Sequence, residues 1–184
     1  GFIAINPPLT VTRLGSLSTR TAHPEYLGRL QQIFDAAGIN VQIQNPYALK
    51  TKGEMMAGCL NQHLLKQHAV TSTSCGRFQR FGYKHCGRCV PCQVRRASFM
   101  RWGEVRDSTP YVYDNLSIDT PQYGRFEDVR SVGMAVASAA QDGFDQWLGH
   151  SLFSPFIIDR TGYRRMLVQG LDELATLHSF YGLK

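Results

Sequence analysis

The chain has 184 residues, of which 43% are hydrophobic and 18% charged, with a formal net charge of +6. These proportions exclude a disordered tail, a collagen-like fibre and a disulfide-dense mini-protein, and the length suits one domain, or one domain with a small appendage. No apolar run approaches the ~20 residues of a membrane helix, so no membrane partner is expected. A start at Gly1, with no basic or long apolar leader, reads as part of a longer cytoplasmic protein rather than as a signal peptide.

In chain order, the apolar run Phe2-Ile3-Ala4-Ile5 predicts a short buried strand closed by Asn6-Pro7-Pro8. Residues 9–23, with Gly15, Ser16, Ser18, Thr19 and Arg20, read as a hydroxyl-rich loop. Pro24 and Glu25 suit the first turn of a helix whose apolar side is Leu27, Leu30, Ile33, Phe34 and Ala37, ending at Gly38. Ile39, Val41 and Ile43 alternate with polar residues and predict a second strand, ended by Asn45-Pro46. Thr51-Lys52-Gly53-Glu54 has the spacing of a capping box and opens a helix through Met55, Met56, Leu60 and Leu64.

The first third therefore predicts an α/β organisation, the C-terminal part of a parallel sheet whose neighbouring strands come from a longer parent chain or a partner. Residues 70–106 form a cysteine-rich segment followed by an Arg-rich helix, and residues 107–125 read as a connector. Three helical faces follow: Val129, Val132, Val136 and Ala140; then Phe144, Trp147, Leu148 and Leu152; then Leu167, Leu171, Leu174 and Leu177. The expected organisation is 1–69 as the α/β part, 70–106 as a metal segment and 107–184 as a connector with a helical module.

Charge and sulfur coincide. Arg77, Arg80, Lys84, Arg88, Arg95, Arg96 and Arg101 fall between 77 and 101 with no acid among them, so the basic character is one local patch and points to an anionic partner. Cys75, Cys86, Cys89 and Cys92 lie in the same stretch, while Cys59 stands apart. Thiolates three residues apart in a tight turn, closed by a fourth from a preceding loop, suit a tetrahedral ion with no open position, hence structural zinc. An iron–sulfur run needs a Cys where Arg96 stands, and a redox pair does not need four sulfurs. His85 is expected to be a bystander and Cys59 a small buried apolar residue.

The segment Ser74-Cys75 … His85-Cys86-Gly87-Arg88-Cys89-Val90-Pro91-Cys92, with Arg95, Arg96 and Phe99 after it, resembles the zinc motif of the 7-cyano-7-deazaguanine synthases. Pro24-Glu25-Tyr26, Pro46 and Thr51-Lys52-Gly53-Glu54 are similar to further segments of that family, so the resemblance covers about residues 1–105. The loop at 16–21 and the helical C-terminus look like a defence-associated, Qat-type anti-phage branch. The resemblance implies a sheet of the adenine-nucleotide-hydrolase type and a ligase that uses ATP and Mg²⁺ to adenylate a 7-deazapurine carboxylate for attack by ammonia or another amine, even one on a protein. The family's Ser-Gly-Gly-x-Asp-Ser ATP loop is missing here, and Thr21, Ala22 and His23 stand where the family tends to carry Asp-Cys-Arg.

On this reading Arg20, Thr21, His23 and Lys52 are the candidate substrate contacts, Arg20 first because its planar fork matches carboxylate and phosphate. His23 before Pro24 is equally explained as a helix cap, and Lys52 and Glu54 by capping and the helix dipole. The rival functions are a zinc-containing module that binds nucleic acid through Phe78, Phe81, Tyr83, Phe99 and Trp102 interleaved with arginines, and an inactive scaffold in a defence complex.

Overall fold

The computed structural model describes residues 1–9, 20–117 and 127–183, with the backbone alone at Arg20 and Glu127. Seven α-helices run through these residues: α1 (Pro24–Ala36), α2 (Lys52–Ala57), α3 (Gln62–His68), α4 (Val90–Trp102), α5 (Glu127–Gln141), α6 (Phe144–Leu148) and α7 (Arg160–Phe180). Short 3-10 turns occupy Phe2–Ile5, Arg20–Ala22 and Gln79–Phe81.

The expected parallel sheet is not found among the described residues. These are mostly helical, 54% helix against 1% strand, and their only pairing is an isolated bridge between His85 and Tyr111. The two segments read as strands show why. In the 3-10 turn of Phe2–Ile5, residues i and i+3 eclipse, so Phe2 and Ile5 project together into the core and both are buried. A four-residue apolar run satisfies that geometry as well as a strand does. The alternating segment Ile39–Ile43 is irregular, its Val41 amide turning back on the Ile39 carbonyl at 2.9 Å, and it has a side chain, not a strand, as its neighbour. The Gln31 carboxamide donates through Nε2 to the Val41 carbonyl at 2.9 Å, and its Oε1 accepts from the Ile43 amide at 2.8 Å. One glutamine on α1 thus takes the two backbone bonds that a sheet neighbour supplies, and Ile39 and Val41 stay exposed.

The centre of the fold is α4. Cys89 caps its start, Pro91 fits the first turn, and Gly103 ends it in the left-handed region at φ 73°. From Val90 to Phe99 every residue except Pro91 is buried, although the helix carries two arginines, a glutamine and a serine in that stretch. It is covered by α2 on one side and α7 on another. The third predicted face is the long stripe of α7: Leu167, Leu171, Leu174 and Leu177 are buried together with Tyr163 and Met166. Burying each such leucine stabilises the fold by roughly 1.5–3 kcal/mol relative to exposure. Val129 and Val132 of α5 join the same core. Gly170 of α7 lets the Phe2 ring lie against the helix backbone, since a Cβ there would overlap the ring.

Polar contacts lock α2 and α4 to α7. The predicted capping box is present, the Glu54 amide donating to Thr51 Oγ1 at 3.0 Å and the Thr51 amide to Glu54 Oε2 at 2.8 Å, but the helix it opens stops at Ala57 with Gly58 as its cap, and Leu64 lies on a second helix capped by Asn61. The buried Thr51 hydroxyl donates to Glu173 Oε1 of α7 at 2.6 Å. His178 Nε2 and Gln93 Oε1 meet at 2.8 Å between α7 and α4. By contrast α1 has no buried residue; it is held by Ser154, whose hydroxyl donates to Glu25 at 2.5 Å, and by the Phe156 ring over Gly28.

Candidate metal centre

Cys75, Cys86, Cys89 and Cys92 converge into a buried cluster in which all four sulfurs lie within 4.8 Å of one another. Three of them come from one tight turn running into α4, with Cys92 already on the helix, and Cys75 comes from the loop after α3. The Sγ atoms of Cys75 and Cys89 are 3.9 Å apart, as are those of Cys86 and Cys92. A tetrahedron with metal–sulfur bonds of about 2.3 Å has edges of about 3.8 Å, so two opposite edges match one tetrahedral ion and the remaining sulfurs are within an ångström of doing so. The cluster therefore can hold a metal ion with every position filled by sulfur.

The backbone is arranged around the sulfurs. The amides of Arg77 and Cys86 donate to Cys75 Sγ at 3.4 and 3.3 Å, and those of Arg88 and Cys89 donate to Cys86 Sγ at 3.5 and 3.3 Å. Such bonds favour the thiolate. Gly87 makes the turn possible: its φ is +87°, and a Cβ would run into the Tyr113 carbonyl and the Arg96 guanidinium. Without a cation the sulfurs share too few charges to ionise together. The thiols of Cys89 and Cys92 hold Cys86 down to about 2, while the bond to Cys86 pushes Cys89 up to about 12 and Cys92 upward as well. A dication removes this conflict, because all four can then be thiolates.

His85 is not a ligand. Its Nε2 accepts from the Ser74 amide at 3.2 Å, its ring sits edge-on to Phe78 and Tyr111, and burial holds its imidazole below the usual histidine range. Cys59 is half-buried and separate, its thiol 3.7 Å from the Asn61 carbonyl.

The basic patch takes a form that the sequence did not show. Arg88, Arg95 and Arg96 are all buried, and their guanidinium groups hold backbone carbonyls. Arg88 donates to Asn115 and Ser117 at 2.6 and 2.9 Å. Arg96 donates to Tyr113 and Asp114 at 2.9 and 2.8 Å and lies 3.8 Å over the Tyr111 ring. Arg95 donates to the carbonyls of Ala69, Val70 and Ser72 and to the hydroxyls of Ser72, Ser74 and Thr109. Arg77 faces Asp128 at 3.6 Å. Arg80, Lys84 and Arg101 remain as exposed cations. The interleaved aromatics follow suit: Phe99 and Trp102 are buried, Phe78 and Phe81 lie against the cysteine cluster, and Tyr83 alone is open to solvent. The stripe of arginines and rings is therefore mostly an internal scaffold for the metal loop.

The candidate substrate contacts are dispersed. Residues 10–19, including Ser16 and Ser18, lie outside the described residues. Arg20 and Thr21 sit in the 3-10 turn before α1, and Thr21 is exposed. His23 is the N-cap of α1, where its Nδ1 accepts from the Glu25 amide at 3.1 Å. Lys52 stands elsewhere, lining a cavity of about 430 Å³ between α2, α3 and α4 that neither Thr21 nor His23 lines. Burial first, and the nearby Arg95 charge second, hold its ammonium below the usual lysine range. Compared with protein-family models, with curated proteins and with solved structures, the chain matches none. No described helix is long and apolar enough to cross a membrane.

Proposed function

We propose that the four sulfurs hold one structural zinc ion, and that the chain is the zinc-bearing helical portion of an ATP-dependent carbon–nitrogen ligase similar to the 7-cyano-7-deazaguanine synthases. The observation that carries the metal assignment is the convergence of four buried sulfurs within 4.8 Å of one another, an all-sulfur set that leaves no coordination position for a reacting water. The ion fixes the entry to α4, and the arginines of α4 in turn hold the loops on either side of the cysteines. Support for the ligase reading is spatial as well as sequential. The capping-box helix α2 packs directly on α4, with Gly53 against the Arg101 side chain, so two segments that carry the resemblance form one unit around the metal.

In this reading the chain contributes a rigid wall and not the nucleotide cradle. ATP and Mg²⁺ are held by the enzyme's Ser-Gly-Gly-x-Asp-Ser loop, which is not in this sequence, and the acceptor is ammonia or an amine on a defence-complex partner. The nucleic-acid reading loses its main support, because four of its five proposed stacking rings are wholly or partly covered. The test is made on the intact native protein with its partners. Metal analysis is expected to give about one zinc per chain, and ATP, 7-carboxy-7-deazaguanine and ammonia together are expected to yield pyrophosphate and AMP, with no AMP when the carboxylate is left out. Zinc-loaded protein that releases no AMP overturns the ligase reading and leaves the metal assignment standing; folded protein without metal overturns the latter.

A further inference from the structure

The cavity between α2, α3 and α4 has an unusual lining. Its walls are apolar, from Met56, Leu64, Leu65 and Phe99, while its titratable side chains include two cations, Lys52 and Arg95, close enough to oppose each other's charge. Among the described residues no carboxylate lines it. An adjoining cavity of about 500 Å³ shares Lys52, Met56, Cys59 and Leu65, adds Lys50, and again has no carboxylate. Volumes of this size suit a small molecule.

The two cations are not equivalent. Arg95 has its donors committed to the carbonyls and hydroxyls of the 69–74 loop and Thr109, so it offers the cavity a field but no free hydrogen bond. Lys52 is the first residue of α2, where the helix dipole opposes a positive charge. The Arg95 charge opposes this ammonium and the Cys92 sulfur favours it, but among the described residues no hydrogen bond or ion pair occupies it, so its donors are open to a ligand in the cavity. We propose that this cavity binds a small amphipathic carboxylate, its hydrocarbon body against Met56, Leu64, Leu65 and Phe99 and its anionic head on Lys52. The apolar walls select an aliphatic or aryl acid over a hydrogen-bonding heterocycle, so the site is distinct from one for a deazapurine and independent of the ligase reading.

The test is calorimetric titration of the zinc-loaded full chain with octanoate, and with octan-1-ol as its neutral counterpart. Saturable one-to-one binding of octanoate is expected, tighter than that of octanol. Lys52→Met is expected to weaken octanoate by about tenfold, the loss of one charge-assisted hydrogen bond, and to leave octanol unchanged. The same variant should melt no lower than the parent, because it removes a cation from the start of α2. Leu64→Glu, at an exposed position on the rim, is expected to weaken octanoate without affecting the fold. Octanoate that binds no better than octanol, Lys52→Met that binds octanoate like the parent, or Lys52→Met that melts markedly lower overturns the proposal.

Discussion

Replacing Arg95 by leucine tests whether the arginines of α4 are scaffold or surface. In the parent, one guanidinium that is 3% exposed holds the carbonyls of Ala69, Val70 and Ser72 at 2.8–3.0 Å and the Thr109 hydroxyl at 2.9 Å. Hydrogen bonds to a charged donor are worth about 1.5–3 kcal/mol each, and a buried carbonyl left without a donor costs about 1–3 kcal/mol. These terms do not add, because Thr71 and Ser72 are exposed and the loop around them regains water, and because leucine returns some apolar burial. A net loss of about 3–5 kcal/mol is expected, the range found when one partner of a buried charged contact is removed. Against a total stability of about 5–15 kcal/mol this is about a fifth or more. In urea the unfolding midpoint of the zinc-loaded protein should fall by about 1–2 M at unchanged slope. Arg80→Leu, at an exposed site of the same sequence patch, should stay within about 0.5 kcal/mol of the parent. Equal midpoints for the two variants would refute the scaffold reading, since a solvated patch predicts no difference between them.

Two further outcomes follow from the geometry. His178 is buried and its imidazole is held down to about 4 by desolvation, below the ~6.5 of an unfolded chain, so the unfolded state takes up a proton first on acidification. Its contribution is intact above about pH 6.5 and is lost between there and about pH 4, up to about 3 kcal/mol; thermal melts of His178→Gln should show a shallower acid decline, and an equal decline in both proteins sinks the assignment. Gly87→Ala places a side chain at a positive φ and against the Tyr113 carbonyl, a cost of at least roughly 1–2 kcal/mol at the metal turn, so the variant should surrender its metal to a chelator sooner than the parent; equal retention would show that the turn tolerates a Cβ.

Local chemistry was readable in the sequence; long-range partnership was not. The helix started by Pro24 and stopped at Gly38, the Thr51–Glu54 capping box and the cysteine spacing each depend on residues within one or two turns, and each appears where the residues place it. The α7 stripe was legible for the same reason, as a period of 3.6 carried by Leu167, Leu171, Leu174 and Leu177. The alternation at Ile39–Ile43 misled because a sheet needs a neighbour that the segment itself cannot specify. Here a glutamine eight to twelve positions upstream fills that role. The basic patch misled because a run of arginines looks the same whether it meets water or carbonyls. The carbonyl acceptors of Arg88, Arg95 and Arg96 lie 17 to 29 positions away along the chain, and no periodicity links them. Lys52 was singled out by resemblance, but its apolar cavity is made only when α3 and α4 come together.

The metal loop also has a bearing on the order in which the chain folds. Its ligands close short circuits: the Cys86 amide reaches Cys75 over 11 positions, and Cys86 reaches Cys92 over 6. The contact between His178 and Gln93 spans 85 positions, and that between Thr51 and Glu173 spans 122. Loop closure becomes entropically harder with length, and non-local pairing sets the pace of folding. An ion captured by the four sulfurs can therefore organise the start of α4 while α7 is still searching, and the helix it fixes presents Gln93 as a ready-made landing point. During synthesis the sulfurs leave the ribosome before α7 does, so on the proposed zinc assignment metal supply at that moment would decide whether the last helix arrives at a formed surface or at an unstructured one.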